Sequence, residues 1–358
     1  MIERDAKLQR ALLWLPVKLY EMAVRLRLLA YKKGLFKIRR LDALVISVGN
    51  ITVGGTGKTP MVAYIGQYLL REGYRIAVLT RGYKRESKGR RVLHDSRQHT
   101  EKNLSYLEYG DEPLMLARLL PQASIVIDKN RYDSGRWVIE NHGTEILLLD
   151  DGYQHLKVHR DLNILLLDAT DPFGGAAIAP LGRLREPLAE LKRADVVLIT
   201  RTNKSLDKAS TLRIIASHCR VGTPVFFFST AIVHFRNLTT GEIFNAAEFT
   251  GKKVAVLCGI GNPQAFVDDL CRLDLSITLE NRCADHHAYS QNDVDTVIKA
   301  AQQGGVEIII TTEKDAVRLE ALQHTGMPIY AAVLQMRSEN EAEFQRLLIQ
   351  NYSGKERK

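Results

Sequence analysis

Residues 45–60 read VISVGNITVGGTGKTP, an apolar run followed by a glycine-rich loop that closes on Gly57-Lys58-Thr59. This order predicts a buried strand, a phosphate-binding loop and a helix. Glycines let backbone amides approach phosphate oxygens, the lysine reaches the β- and γ-phosphates, and the threonine hydroxyl can ligate Mg²⁺. The next residues, MVAYIGQYLLREG, have a helical pattern, so the phosphates would sit at a helix N-terminus, where unpaired N–H groups favour anions. The expected nucleotide contacts are Thr52, Val53, Gly54, Gly55, Thr56, Gly57, Lys58 and Thr59. Thr52 stands where the usual G-x-x-x-x-G-K-[ST] pattern has glycine. The flanks and the Gly-Lys-Thr ending favour phosphate binding over a plain glycine-rich turn.

Outward from this loop, apolar runs alternate with helical patterns. ALVISV (43–48), RIAVLT (75–80), SIVI (124–127), EILLLDD (145–151), LNILLLD (162–168) and ADVVLIT (194–200) read as buried strands. Continuous apolar runs separated by helices argue for parallel sheets covered on both faces. A hairpin linker is expected over 224–250, with its turn near Thr240-Gly241. A second series follows at 253–263, 275–280, 306–315 and 327–333. The expected fold is α/β, with two Rossmann-like α/β/α lobes, the N-terminal one P-loop NTPase-like, joined by a β-hairpin linker. Expected boundaries are 1–35 for an N-terminal helix, 36–223 for the P-loop domain, 224–250 for the linker and 251–350 for the second α/β domain. The tail SGKERK is expected to fray.

At 358 residues the chain can hold two cores. Its four cysteines form no C-x-x-C pair, which argues for a reducing compartment and against a zinc site. Charge is uneven. Residues 1–40 carry 11 Lys/Arg against 3 Asp/Glu, a net +8, which leaves +1 for the other 318 residues. Within that segment Leu8, Leu12, Leu15, Leu19, Met22, Leu26 and Leu29 recur at spacings of three and four, an apolar helical stripe flanked by basic residues. Its longest uncharged run, ALLWLPV, is far short of the ~20 residues a spanning helix needs. Charges interrupt it too often for a secretory leader. A basic amphipathic helix lying on an anionic membrane fits best, ahead of a helix packed on its own domain, and nothing in the chain is built to read nucleic acid. Pro16 implies a kink or two successive helices.

Other motifs fall at strand ends. Asp150 and Asp151 close an apolar strand as a Walker B carboxylate does, where it orients Mg²⁺ or its waters. Gln154 and His155 follow within a turn. Asp111 and Glu112, in Gly110-Asp111-Glu112-Pro113, precede a helical pattern and read first as helix caps. Asp285-His286-His287 reads as a loop carrying a base or a nucleotide contact. Arg81-Gly82-Tyr83, Leu184-Arg185-Glu186-Pro187 and Thr311-Thr312-Glu313-Lys314-Asp315 each put polar groups after a strand. Lys314 could face a phosphate or pair with Glu313 or Asp315.

Taken together, SVGNITVGGTGKTP, LTRGYKR, GDEPLMLA, LLLDDGYQHL, DLNILLLDATDPFGG, PLGRLREPL, DHHAYS and TTEKDAVRL resemble the tetraacyldisaccharide 4′-kinase family, in the family's order from residue 47 to 319. The resemblance implies transfer of the ATP γ-phosphate, with Mg²⁺, to the 4′-hydroxyl of a tetraacylated disaccharide 1-phosphate in lipid A synthesis. It implies Lys58 and Thr59 as phosphate-loop residues, and Asp111 paired with His286 or His287, the former preferred, to deprotonate the hydroxyl. Asp150, Asp151, His155, Glu186, Arg185 and Glu112 are further site candidates, with Thr59, Asp150 and Asp151 near the metal. It also implies a protein held by its N-terminal helix on the cytoplasmic face of the inner membrane; a monomer without nucleic-acid partners is expected. The dyad is expected to be split across the lobes and completed on closure. The alternative is a membrane-associated P-loop switch or partitioning-type ATPase. That class has a signature lysine where this chain has Val53, and no use for the G-D-E-P and D-H-H motifs.

Overall fold

The computed structural model describes residues 2–94, 105–203 and 206–350, and within that span not the side chains of residues 2–13. In chain order the strands are β1 Leu44–Asn50, β2 Ile76–Thr80, β3 Arg91–Leu93, β4 Ser124–Ile127, β5 Ile146–Asp150, β6 Leu162–Asp168 and β7 Val196–Thr200, then β8 Val225–Asn237, β9 Ile243–Asn245, β10 Lys253–Cys258, β11 Ser276–Arg282, β12 Ile308–Thr312 and β13 Ile329–Ser338. The helices are α1 Ile2–Lys32, α2 Lys58–Arg71, α3 Tyr106–Tyr109, α4 Asp111–Leu119, α5 Arg131–His142, α6 Lys208–His218, α7 Pro263–Cys271, α8 Gln291–Gln303, α9 Glu313–Leu319 and α10 Glu341–Gln350.

Two compact units emerge, and neither is continuous in sequence. The first holds residues 1–80, 129–229 and 337–358; the second holds 81–128 and 230–336. Residues 81–128 thus leave the expected P-loop domain, and α10 joins the first unit rather than the second α/β domain. Both series share one apolar strand pattern, so nothing in the sequence marks where the chain departs and returns.

In the first unit, parallel pairings give the order β8-β7-β6-β1-β5-β2. Every residue of β1, β5, β6 and β7 is buried, the signature of a parallel sheet covered on both faces. Helix α2 buries Met61, Val62, Ile65 and Leu69, the stripe that three-and-four spacing sends inward. Helix α1 runs as one helix through Pro16 rather than as two. Its Val17 enters the cluster of Ile51, Tyr153, Leu165 and Leu184. The expected fraying of residues 353–358 lies outside the described residues.

In the second unit β11-β10-β12-β13 are parallel neighbours. Ala255, Leu257 and Ile309 enter one apolar cluster, and Val254, Val256, Ile308 and Ile310 enter another. This two-residue alternation covers both faces of the sheet. The expected hairpin pairs β8 with β9, His234 opposite Asn245 and Arg236 opposite Ile243. Strand β3, absent from the sequence reading, pairs antiparallel with β4.

Phe344 of α10 tests the non-contiguous first unit. It is fully buried and meets Phe226 and Phe228 edge-on at 5.3 Å and Tyr64 in a stack at 6.3 Å. Phe344→Ala should destabilise this unit by about 3–5 kcal/mol, measured by urea unfolding monitored at these aromatics. A loss below ~1 kcal/mol would mean that α10 does not pack there.

Candidate functional site

The loop after β1 is built as its sequence dictates. Gly57 sits at φ 79° and caps α2 with no side-chain hydrogen bond, and a Cβ there would meet nothing within 4 Å. The backbone conformation, rather than crowding, therefore favours glycine at this position. Its location leaves the first N–H groups of α2 without intrahelical partners. Two neighbours brace the loop. Thr200 Oγ1, at the end of β7, donates to the Thr56 carbonyl at 3.1 Å. On the other side Val53 N donates to Arg183 O at 2.6 Å, and Arg183 returns Nε and Nη2 to the Val53 carbonyl at 3.2 and 3.1 Å. Gly54 and Gly55 are exposed, whereas Thr52 and Thr56 are buried. Thr59 is half-buried in the first turn of α2.

Lys58 donates to Asn50 Oδ1 at 3.3 Å and stands 3.7 Å from Asp151 Oδ1. Asp151 also accepts Arg185 Nη1 on both oxygens, at 2.9 and 3.0 Å. Its backbone is left-handed, φ 50°, a conformation Asp tolerates better than most residues. The turn fits closely on β1: a Cβ on Gly152 would lie 2.5 Å from Ser47 Oγ, and one on Gly49 2.6 Å from Tyr153 N. Burial pushes the Asp151 carboxyl up, but the charges of Lys58 and Arg185 outweigh it and bring it down to about 2. Asp150 goes the other way. Burial and the Asp151 charge raise it against Arg131 and Lys58. Asp150 Oδ2 accepts Thr80 Oγ1 at 3.2 Å, and its buried Oδ1 has no donor among the described residues.

That acceptor bears on magnesium. No cluster of three or more His, Cys, Asp or Glu able to hold a metal exists among the described residues. Mg²⁺ in phosphate-transfer sites uses one or two carboxylates plus phosphate oxygens and water, so the Asp150–Asp151 strand end, with a buried Asp150 oxygen unpartnered among the described residues, suits it chemically.

Glu186 is buried, pairs with Arg193 and accepts Gln154 Nε2 at 3.4 Å. Burial raises its carboxyl more than Arg193 lowers it. His155 is buried in the same turn, its amide donating to Gly152 O at 2.8 Å. Helix α1 reaches this region: Tyr20 OH donates to the Arg185 carbonyl at 3.2 Å, and Arg27 Nη2 to the Gln154 carbonyl at 2.7 Å. Its Leu15, Leu19, Met22, Leu26 and Leu29 are 47–58% exposed. Leu8 and Leu12 fall outside the described side chains. No helix among the described residues is long and apolar enough to cross a membrane.

The second unit holds another cluster. Gly110 (φ 91°) turns the chain into α4 and puts Asp111, buried, at its first position. Asp111 Oδ1 accepts the Glu112 amide at 2.9 Å, but Gly110 is the N-cap and no described side chain caps α4, so the capping reading is not met. Asp111 Oδ2 lies 2.8 Å from His286 Nδ1 and accepts Arg318 Nη2 at 3.1 Å. Burial pushes this carboxyl up, but the His286 hydrogen bond and the Lys314 and Arg318 charges hold it below the usual range. His286 has a left-handed backbone, φ 62°, strain of the kind that collects at functional sites. His287 turns away: its Nε2 is 3.2 Å from Asp293 Oδ2, within the capping box of α8.

One expectation changes here. Asp111 and His286 belong to the same unit, so the pair is complete within it instead of being split across lobes. The second imidazole nitrogen is also engaged, since Lys314 Nζ lies 3.0 Å from His286 Nε2. Sequence reasoning missed Arg183, Arg193 and Arg318. The only signal for Arg318 was its place one turn after Lys314 in EKDAVRL.

Comparison with known proteins follows this geometry. The family model described as Tetraacyldisaccharide-1-P 4'-kinase matches residues 9–353. The tetraacyldisaccharide 4′-kinase of Geobacter sulfurreducens is 42% identical over 333 residues, covering 93% of this chain and 90% of that one. Its counterpart in Geobacter metallireducens is 39% identical, covering 88% and 90%. A crystal structure of LpxK from Aquifex aeolicus in complex with ATP has 31% identity and a TM-score of 0.77, covering 96% of this chain and 99% of that one.

The low-lying Asp151 carboxyl has a testable sign. Its folded value, about 2, lies below the unfolded value near 3.9, so it stabilises the fold above pH ~4 and that contribution is lost as pH falls towards 2. The stability difference between wild type and Asp151→Asn should therefore shrink by on the order of 2 kcal/mol from pH 5 to pH 2, measured by denaturant titration across pH. Parallel pH curves would show that Lys58 and Arg185 do not act on this carboxylate.

Proposed function

The chain belongs to the tetraacyldisaccharide 4′-kinase family, and from that premise we propose how its residues carry the ATP γ-phosphate to the 4′-hydroxyl of a tetraacyldisaccharide 1-phosphate. The chain is a kinase of lipid A biosynthesis. The amides of residues 54–59 and Lys58 hold the β- and γ-phosphates. Thr59 and the Asp150–Asp151 strand end hold Mg²⁺, which when bound offsets the charge on the phosphate oxygens. The 4′-oxygen attacks the γ-phosphorus in line as the bond to the β-phosphate bridging oxygen breaks. ADP leaves, and the hydroxyl proton passes to the Asp111–His286 pair.

One observation carries the reading, the 2.8 Å contact of Asp111 with His286. A P-loop switch hydrolysing ATP needs no carboxylate–imidazole pair for a sugar hydroxyl. Within the pair, His286 Nε2 faces Lys314, whereas Asp111 Oδ1 accepts one amide among the described residues and keeps a lone pair. The acceptor of the hydroxyl proton is therefore on Asp111, with the imidazole holding it. Such a base contributes ~10²–10⁴-fold. The exposed stripe of α1, with Lys18, Arg25, Lys32 and Lys33 nearby, is the surface by which a monomer rests on an anionic bilayer, the cytoplasmic face of the inner membrane, where an acylated acceptor resides.

Labelled phosphate transfer to the acylated disaccharide is the assay. Lys58→Ala and Thr59→Ala should each lower kcat about 10²–10⁴-fold in folded protein; near-normal turnover in Lys58→Ala would sink the phosphate-loop assignment. Asp111→Ala and His286→Ala should each lower kcat more than they raise KM. The double variant should cost little beyond the worse single, because paired groups are not additive. Fully additive losses, or an inactive His287→Ala beside an active His286→Ala, would overturn the pair.

Replacing Leu15, Leu19, Met22 and Leu26 with serine should leave circular dichroism unchanged, since these side chains are exposed. It should release the protein from anionic vesicles in flotation and raise apparent KM for bilayer-presented acceptor. Wild type that fails to float, or a variant that unfolds, would remove the membrane assignment.

A further inference from the structure

Two basic side chains on α9, one helical turn apart, close on the two members of the pair: Lys314 on the imidazole and Arg318 on the carboxylate. Arg318 is 2% exposed, donates to the His287 carbonyl at 2.6 Å and pairs with the fully buried Asp315 at 3.3 Å. Asp315 is fixed in turn by Gly259 N, Thr312 Oγ1 and Tyr289 OH at 3.0, 2.7 and 3.2 Å. The clamp thus rests on the buried floor of its own unit.

Proton positions follow from these neighbours. Among the described residues Asp111 faces only donors: the Arg318 guanidinium, the Glu112 amide and the imidazole. It is a carboxylate, so His286 Nδ1 must carry a proton. Lys314 also donates to Asp285 Oδ1 at 3.0 Å, an ion pair that makes it a donor on this side of the ring. Its other contact, His286 Nε2, must then present a lone pair. An imidazolium here would set an N–H against an ammonium, two like charges 3.0 Å apart.

We propose that Lys314 is a positioning residue for the pair: by donating to Nε2 it holds His286 as the neutral Nδ1–H tautomer, whose proton is directed at Asp111. The consequence for the reaction rests on the reading of Asp111–His286 as the base. A neutral donor orients the carboxylate without neutralising it, whereas an imidazolium would make Asp111 a weaker base. The other groups facing the ring are Asp285, whose Oδ1 is 3.8 Å from Nε2, and Tyr83, whose ring centroid is 5.4 Å away. Lys84 donates to the Asp285 carbonyl at 3.4 Å and adds positive charge on the Lys314 side.

The test is ¹⁵N NMR of the full-length protein labelled at histidine, with the His286 signals assigned by their loss in His286→Gln. Wild type should show Nδ1 protonated and Nε2 bare at neutral pH; an Nε2–H tautomer or an imidazolium in wild type overturns the proposal whatever the variants do. Lys314→Met should mix the tautomers and let the second proton on at higher pH. Its kcat should fall about 10–100-fold with KM values nearly unchanged, and the acid limb of its kcat–pH profile should move to higher pH. Lys314→Arg, which keeps a donor and the charge, should recover most of the rate and the wild-type tautomer. An unchanged tautomer and profile in Lys314→Met overturns the proposal. Should the tautomer respond as stated while His286→Ala stays active, tautomer control by Lys314 stands and the base reading falls.

Discussion

Charge balance around one carboxylate organises the first unit. The Lys58 side chain is largely buried, and a cation taken out of water without a partner is costly. Asp151 supplies it, and the same carboxylate takes Arg185 from a segment 34 residues further along the chain. Holding both cations requires the left-handed backbone of Asp151, which in turn requires Gly152 and Gly49 to let the turn lie on β1. The neighbouring Asp150 shifts the opposite way because it is buried beside that charge. Two adjacent carboxylates thereby acquire different chemical characters, one a fixed anion and the other more ready to hold a proton.

The second unit solves a related problem with opposite signs. Asp111 is buried and would be raised by that burial, yet three donors keep it anionic. Its partners come from sequence positions some 175 and 207 residues away, so the geometry depends on the β10–β12 sheet and α9 being rigid. Their apolar residues divide cleanly between two clusters, which supplies that rigidity.

Much of this was legible in the sequence for a definite reason. Buried parallel strands are written as continuous apolar runs, and SIVI (124–127), LNILLLD (162–168) and the 253–258 run appear in the fold with little change. The strand–turn–helix around Gly57 was equally plain, because its glycines answer to local backbone demands. What remained hidden is non-local. The excursion of residues 81–128 into the second unit has no compositional mark. Arg183 and Arg318 look like ordinary surface arginines until the fold sets them against a carbonyl or a carboxylate. The expectation of a base completed by lobe closure failed because membership of a unit follows packing rather than chain order. Of the two readings of Pro16, a kink or two helices, the second is not met: α1 runs through it over 31 residues, and helix on both sides can absorb one lost hydrogen bond.

Helix α1 is wired into its own unit as well as being amphipathic. Val17 fills a gap in the cluster that seats Ile51 and Tyr153, while Tyr20 and Arg27 hold the carbonyls of Arg185 and Gln154. A shortened protein lacking residues 1–32 would therefore have a wounded first unit rather than an intact one. It would expose the apolar wall beneath the phosphate loop and orphan two carbonyls that orient polar side chains. Substitution of the exposed side chains of α1, not amputation, is the change that leaves the packing of the first unit in place.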